Sequence, residues 1–243
     1  RINATDTNNL KTSTTTIDGF FVKGALTLAD FPRPYVDLQN RIVLSTVIVG
    51  NSDPHGPSGG AHTLDTVGGM MVAARLGYSG GSETGRFYLD TDIAWYNASN
   101  AKVYYWPLDI GNIITVGGPG VNMITWRYFA NPWYAPVYYQ YQGGEWILVT
   151  PRSVYRSSEW VAHGRDVALV ESVYVAEENR YVLVVAGFGG DGTRAATLII
   201  QLSGTSNEVV RLNGKAMIIQ WIDSNGNAKV DKEDTWNILE IVT

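Results

Sequence analysis

The first sixteen residues, RINATDTNNLKTSTTT, show no apolar period and are dominated by Thr and Asn, a composition that predicts an arm or linker and no core element. A short apolar run follows in FFVKGALTLADFPRPYV and is closed by Pro32 and Pro34. RIVLSTVIVG, Arg41 to Gly50, is almost continuously apolar and β-branched, the signature of a strand buried on both faces. After the loop NSDPHGPSGG the period changes, and Leu64, Val67, Met71, Ala74 and Arg75 fall at three- and four-residue steps. This spacing predicts a helix from Thr63 to Leu76 with Gly77 as its stop. Gly68 and Gly69 in its middle each cost roughly 1 kcal/mol against Ala, which implies tight packing of the helix on a sheet.

The order strand, loop, helix recurs. NIITVGGPGVNMITWRYF reads as a short strand, a glycine-proline turn and a helix, and RYVLVVAGFGGDGTRAATLIIQL as a strand, a glycine loop and a helix. Three such units predict an α/β fold with a mixed, mostly parallel sheet flanked by helices. Antiparallel β-hairpins are added to it. One is YAPVYYQYQGGEWILVT, two aromatic or β-branched runs around Gly143-Gly144. The tail adds two more, EVVRLNGKAMIIQW turning at Asn213-Gly214, and TWNILEIV joined across the polar stretch that precedes it. The chain divides into residues 1–27, a polar arm and first short strand, and residues 28–243, a single domain ending in C-terminal β-hairpins.

Composition narrows the function classes. The 243 residues are 45% apolar, enough for a full core. Charged residues make up only 17% and the net charge is -5, so there is no basic field for a nucleic-acid backbone and no such partner is expected. The absence of cysteine excludes disulfides, thiolate metal sites and cysteine nucleophiles. No apolar run approaches the ~20 residues needed to span a bilayer, so no transmembrane segment is expected. The chain begins at Arg1 with no initiator methionine and no charged-then-apolar leader, which fits a processed secreted product or an excised domain. Asn3-Ala4-Thr5 and Asn97-Ala98-Ser99 are sequons, so Asn3 and Asn97 are candidate N-glycosylation sites; both also read as turn asparagines.

Candidate chemistry is sparse. The loop in VVAGFGGDGTRAA could offer free amides to a phosphate at a helix N-terminus, but its spacing matches neither the Walker nor the GxGxxG pattern, and Asp191 would repel an anion. A turn capped by Asp191 or Thr193 explains it as well, and Val116-Gly-Gly-Pro-Gly120 reads the same way. Asp53, His55 and His62 could supply two His and one carboxylate to zinc, with Asp65 nearby and His163 distant, yet no helical spacing joins them. Ser58-Gly59-Gly60 is a weak substitute for a nucleophile elbow. Trp126, Tyr128, Trp133, Tyr134, Tyr138, Tyr139 and Tyr141 could form a sugar-stacking patch, or simply pack. WIDSNGNAKVDKEDTW is the strongest constellation. Counted from Asp223, oxygen side chains stand at one (Asp223), three (Asn225), five (Asn227), nine (Asp231) and twelve (Asp234), and Lys229 offers its carbonyl at seven. That is the ligand order of an EF-hand loop, suited to Ca2+. Ala228 replaces the usual Gly at six, Asp234 at twelve is shorter than the usual bidentate Glu, and the flanks read as strands, so the alternatives are a calcium loop on a hairpin or a polar turn.

Several segments, in order, resemble archaeal surface-layer proteins: ADFPRPYV, STVIVG and AHTLDTVGGMMVAARLG, then NIITVGGPGVNMIT, YVLVVAGFGGDGTRAATLI and finally IIQWIDSNGNAKVDKEDTW. The resemblance covers residues 28–243 and leaves the arm unmatched. It implies a non-enzymatic, secreted structural protein, often glycosylated and frequently calcium-bound, that assembles with copies of itself into a cell-surface lattice, sheath or filament. The other class compatible with the residues is a secreted carbohydrate-binding module or hydrolase with an aromatic surface.

Overall fold

Strands supply most of the ordered structure. The computed structural model describes residues 14–17, 20–23, 26–55, 59–80, 86–106 and 110–243, the first two segments as backbone alone. β1 (Thr14–Ile17) and β2 (Phe20–Lys23) form an antiparallel ribbon, and β3 (Val36–Asp37) and β4 (Ile42–Val43) a second one leading into β5 (Ser45–Val49). α1 (Thr63–Gly80) carries the chain to β6 (Arg86–Leu89), parallel to β5. A hairpin of β7 (Ala94–Asn97) and β8 (Lys102–Tyr105) precedes β9 (Asn112–Val116), which lies parallel to β5 on its other side. α2 (Met123–Phe129) leads to a three-stranded antiparallel sheet of β10 (Tyr138–Gln142), β11 (Glu145–Val149) and β12 (Val154–Arg156), followed by the one-turn helix α3 (Ser157–Trp160). β13 (Arg165–Val175) and β14 (Arg180–Gly187) form a long hairpin, α4 (Gly190–Leu202) follows, and β15 (Ala216–Ile222) pairs with β16 (Thr235–Val242).

Seven strands build the main sheet in the order β16-β15-β13-β14-β9-β5-β6. The β14-β9, β9-β5 and β5-β6 pairings are parallel, while β16-β15, β15-β13 and β13-β14 are antiparallel. The expectation of a mostly parallel sheet flanked by helices is therefore corrected to a strand-rich fold around one mixed sheet. The cause is β13, which the sequence pattern did not reveal. Its RDVALVESVYV is buried on both faces, so it shows no alternation to read. Antiparallel to both its neighbours, it reverses half of the sheet.

The helices are also unevenly placed. α1 and α4 pack together on one face, where Met71, Val72, Leu76, Ala196 and Ile199 cover Val47, Ile114, Val170 and Leu183. The other face is covered mainly by small sheets: Tyr139, Leu148 and Tyr155, with Ile124 and Phe129 from the short α2, bury Ile48, Ile113, Leu169 and Val184. Gly68 and Gly69 have the role their position suggested. A Cβ on Gly68 would stand 2.7 Å from Thr197 Cγ2 of α4, and one on Gly69 would collide with Val49 of β5.

Two boundaries differ from expectation. α1 continues through Gly77 to Gly80, because Leu76 is buried and Gly80 lies against Val36, so contacts hold the last turn despite a poor helix former. EVVRLN forms no strand, so Asn213-Gly214 is not a hairpin turn. Gly214 adopts φ +67° and its carbonyl accepts from Leu28 N–H (2.7 Å), while Lys215 N–H donates to Val242 (2.7 Å), which feeds the chain into β15. The terminal β-hairpin is thus single, formed by β15 and β16 across residues 223–234.

Candidate functional site

The loop between β15 and β16 is organised by its own side chains. Asp223 Oδ1 accepts from Gly226 N–H (2.8 Å) and Oδ2 from Ala228 N–H (2.9 Å). Asn225 Oδ1 accepts from Asn227 N–H (3.0 Å), and Asn227 Oδ1 from Lys229 N–H (2.8 Å). These bonds wind positions one to seven into a tight turn. Ala228, at the sixth position where glycine is usual, takes the left-handed conformation that position demands, with φ +57°.

Asp231 faces the two amides: Asn227 Nδ2 donates to it at 2.6 Å and Asn225 Nδ2 at 3.1 Å. Those bonds, that of Asn227 first, hold its carboxyl below the usual carboxylate range. Asp234 is 7% exposed; its Oδ2 accepts from Trp221 Nε1 (2.8 Å) and Asp231 N–H (3.0 Å). Its Oδ1 is buried without a hydrogen-bond partner. A buried carboxylate oxygen without a hydrogen-bond partner is the kind of atom a hard cation takes up. Among the described residues Asp223, Asp231 and Asp234 are nonetheless not gathered into a three-carboxylate cluster. The amide nitrogens of Asn225 and Asn227 stand where a cation would neutralise Asp231, and both amides must turn over to offer oxygen instead.

A second feature is a cavity of about 210 Å³ beyond the carboxyl ends of β9 and β14, lined by His62, Asp65, Thr193, Tyr139, Trp146 and Phe188 with a floor of glycine backbone. Here β5 leads through α1 to β6 while its neighbour β9 leads to the opposite side, the kind of switch point where open sheets bind ligands. Asp65 is buried and accepts from His62 N–H (3.0 Å); burial raises its carboxyl pKa. Among the described residues the lining holds no Lys or Arg to attract an anion.

The glycine loop at α4 has its anion already. Asp166, at the start of β13 and 1% exposed, accepts from Gly189 N–H (3.0 Å), Gly192 N–H (2.8 Å) and Val167 N–H (2.7 Å). Burial pushes its carboxyl up to about 6, against the lowering effect of those three bonds. Thr193 Oγ1 accepts from Gly187 N–H (3.1 Å), and Asp191 stays outside this arrangement. Phosphate at this helix end would compete with a built-in carboxylate. At Val116–Gly120 the chain simply turns, and Asn122 caps α2 through Ile124 and Thr125 N–H.

The other expected groupings are dispersed. His55 Nε2 meets Asp90 at 2.8 Å, not His62, and Asp90 is fully buried, accepting also from Asn51 and Met123 N–H. His62 Nδ1 instead accepts from Leu64 N–H, Asp53 and His163 are exposed, and Ser58 and Asn3 lie outside the described residues. The aromatic group forms no single patch. Tyr128 and Tyr139 are buried, Trp146 sits edge-on to Trp126, Tyr139 and Tyr141, and Trp133 is 77% exposed. Sequence reasoning missed Asp90, Asp166 and the fully buried Glu171, whose Oε1 accepts from Val137 N–H and whose carboxyl burial raises well above its ordinary range.

No protein-family model matches the chain, and no curated protein matches it either. Among the described residues no helix is long and apolar enough to cross a membrane.

Proposed function

We propose that the chain is a non-enzymatic structural protein of the cell exterior that assembles with copies of itself into a surface-layer lattice, sheath or filament. The observation that carries this reading is the pair of open edges on the seven-stranded sheet. Among the described residues β6 pairs only with β5 and β16 only with β15, so each has one outward row of backbone groups, in which Leu89 N–H already donates to Asp92 Oδ2 (2.9 Å). Phe87 on β6 is 53% exposed, Leu89 37%, and Ile238 on β16 49%. Open edges with apolar side chains are templates for strand pairing, and soluble chains normally blunt them. Two unlike edges at opposite ends of one sheet allow a head-to-tail contact that repeats without closing. Of the polar arm, Thr14–Thr16 already pair with β2, and residues 1–13, which lie outside the described residues, are a further candidate strand for a neighbour's edge. The ordered set of segments resembling surface-layer proteins supports the same role.

Calcium belongs to this proposal as a clamp on the β15–β16 hairpin, held by Asp223, Asn225, Asn227, the Lys229 carbonyl, Asp231 and Asp234. The unpartnered Asp234 Oδ1 and the left-handed Ala228 support it. The ion would hold the loop beside edge strand β16.

Phe87→Lys tests the edge. It places a charge on an exposed position of β6 and should leave monomer melting within about 1–2 °C, since exposed substitutions change stability by under ~0.5 kcal/mol. Light scattering with calcium should show assembly of the wild type and its loss in Phe87→Lys. Equal assembly by both would remove β6 from the account.

A further inference from the structure

The outward face of the β7–β8 hairpin carries side chains that neither core uses. The register pairs Trp95 with Tyr104 and Asn97 with Lys102, so these four rise from one face, while Ala94, Tyr96, Val103 and Tyr105 turn inward. Trp95 stacks on Tyr104 with centroids 5.3 Å apart and planes 16° apart, and Trp106 lies 4.7 Å from Trp95. The three rings are 41%, 36% and 56% exposed for Trp95, Tyr104 and Trp106. Strand alternation would put polar residues there, so a contiguous aromatic platform calls for an occupant.

That occupant is indicated two residues along the same strand. Asn97 opens the Asn97-Ala98-Ser99 sequon, and its Oδ1 accepts from Ser99 N–H (3.0 Å) and from the Ser99 hydroxyl (2.5 Å). The carboxamide is thereby fixed at the start of the turn, with no hydrogen bond on Nδ2 among the described residues. Positions i and i+2 on a strand share a face and lie about 7 Å apart, within reach of one sugar ring. The axial C–H groups of a pyranose form an apolar, weakly positive face that complements the negative face of an aromatic ring.

We infer that Asn97 carries an N-linked glycan whose first sugar lies on the Trp95–Tyr104 rings with Trp106 beside it, so that the modification covers this platform and stiffens the hairpin. The inference rests on the extracellular reading above. In the modification Nδ2 bonds to the anomeric carbon of a lipid-linked glycosyl diphosphate. The bond from that carbon to the phosphate oxygen breaks, its electron pair leaves with the diphosphate, and Nδ2 gives up one proton; a secretory oligosaccharyltransferase supplies donor and catalyst.

The test uses the full chain secreted from a host that N-glycosylates, beside Ser99→Ala, which destroys the sequon. The same two proteins from a bacterial host without the modification subtract the effect of losing the Ser99 hydroxyl. Intact mass and peptide mapping read occupancy at Asn97 and, as an internal control, at Asn3. The expected result is an occupied Asn97, a melting temperature about 2–4 °C above Ser99→Ala after subtraction, and less acrylamide quenching of tryptophan. Trimming the glycan to its first sugar keeps the gain, and Trp95→Ala removes it. An occupied Asn97 with no gain and unchanged quenching overturns the inference, as does an equal gain in Trp95→Ala. A bare Asn97 beside an occupied Asn3 overturns it alone, whereas two bare sequons overturn the extracellular reading with it.

Discussion

Asp166 decides what the glycine-rich turn before α4 can hold. Its carboxylate takes the Gly189 and Gly192 amides that a phosphate would need, at the cost of burial. A folded-state pKa of about 6 lies above the ordinary carboxylate value. The folded chain therefore binds this proton more tightly than the unfolded chain, so stability from this group falls as pH rises from about 4 to about 6. The change is on the order of 2–3 kcal/mol. Urea unfolding of wild type and Asp166→Asn at pH 4.5 and 7.5 should show the wild type losing more stability across this window than the variant. Parallel profiles would mean the site is better solvated than its burial implies. Nothing in the sequence marked Asp166, because it acts across 23 positions on Gly189, and Asp90 acts across 35 on His55. The carboxylate and amide set from Asp223 to Asp234 was legible because its bonds span only a few residues.

At the scale of elements, legibility followed the same division. β5, β9, β14, α1, α2 and α4 each carry a local period or a glycine turn, and the close approach at Gly68 and Gly69 could be inferred from their cost in a helix. β13 could not be read, since burial on both faces erases alternation, and EVVRLN looks like a strand yet finds no edge to join. The β15–β16 hairpin is where sequence and structure together sharpen a prediction. If calcium clamps its loop, melting in excess calcium should exceed melting in chelator by about 5–10 °C at 100-fold over the dissociation constant. Asp223→Ala, which removes the acceptor for Gly226 and Ala228 N–H, should lower melting in chelator and abolish the calcium increment. Identical wild-type melting under both conditions would leave the stretch a polar turn.

For the whole molecule, the mixed sheet matters more than the helices expected beside it. Its parallel half ends in β6 and its antiparallel half in β16, so the two edges differ in direction, in neighbouring loops and in side chains. Such edges favour a polar, repeating contact over a closed dimer, and the proposed calcium clamp on the β15–β16 loop would tie one of them to the ion. The aromatic face of β7–β8 follows β6 in the chain and, under a glycan, would be shielded from random association while the edges stay free. Negative-stain electron microscopy of the purified chain, first with millimolar calcium and then after chelation, tests this account most directly. Ordered arrays or filaments that disperse on chelation are the expected result. Single particles in both conditions at every concentration examined would contradict it.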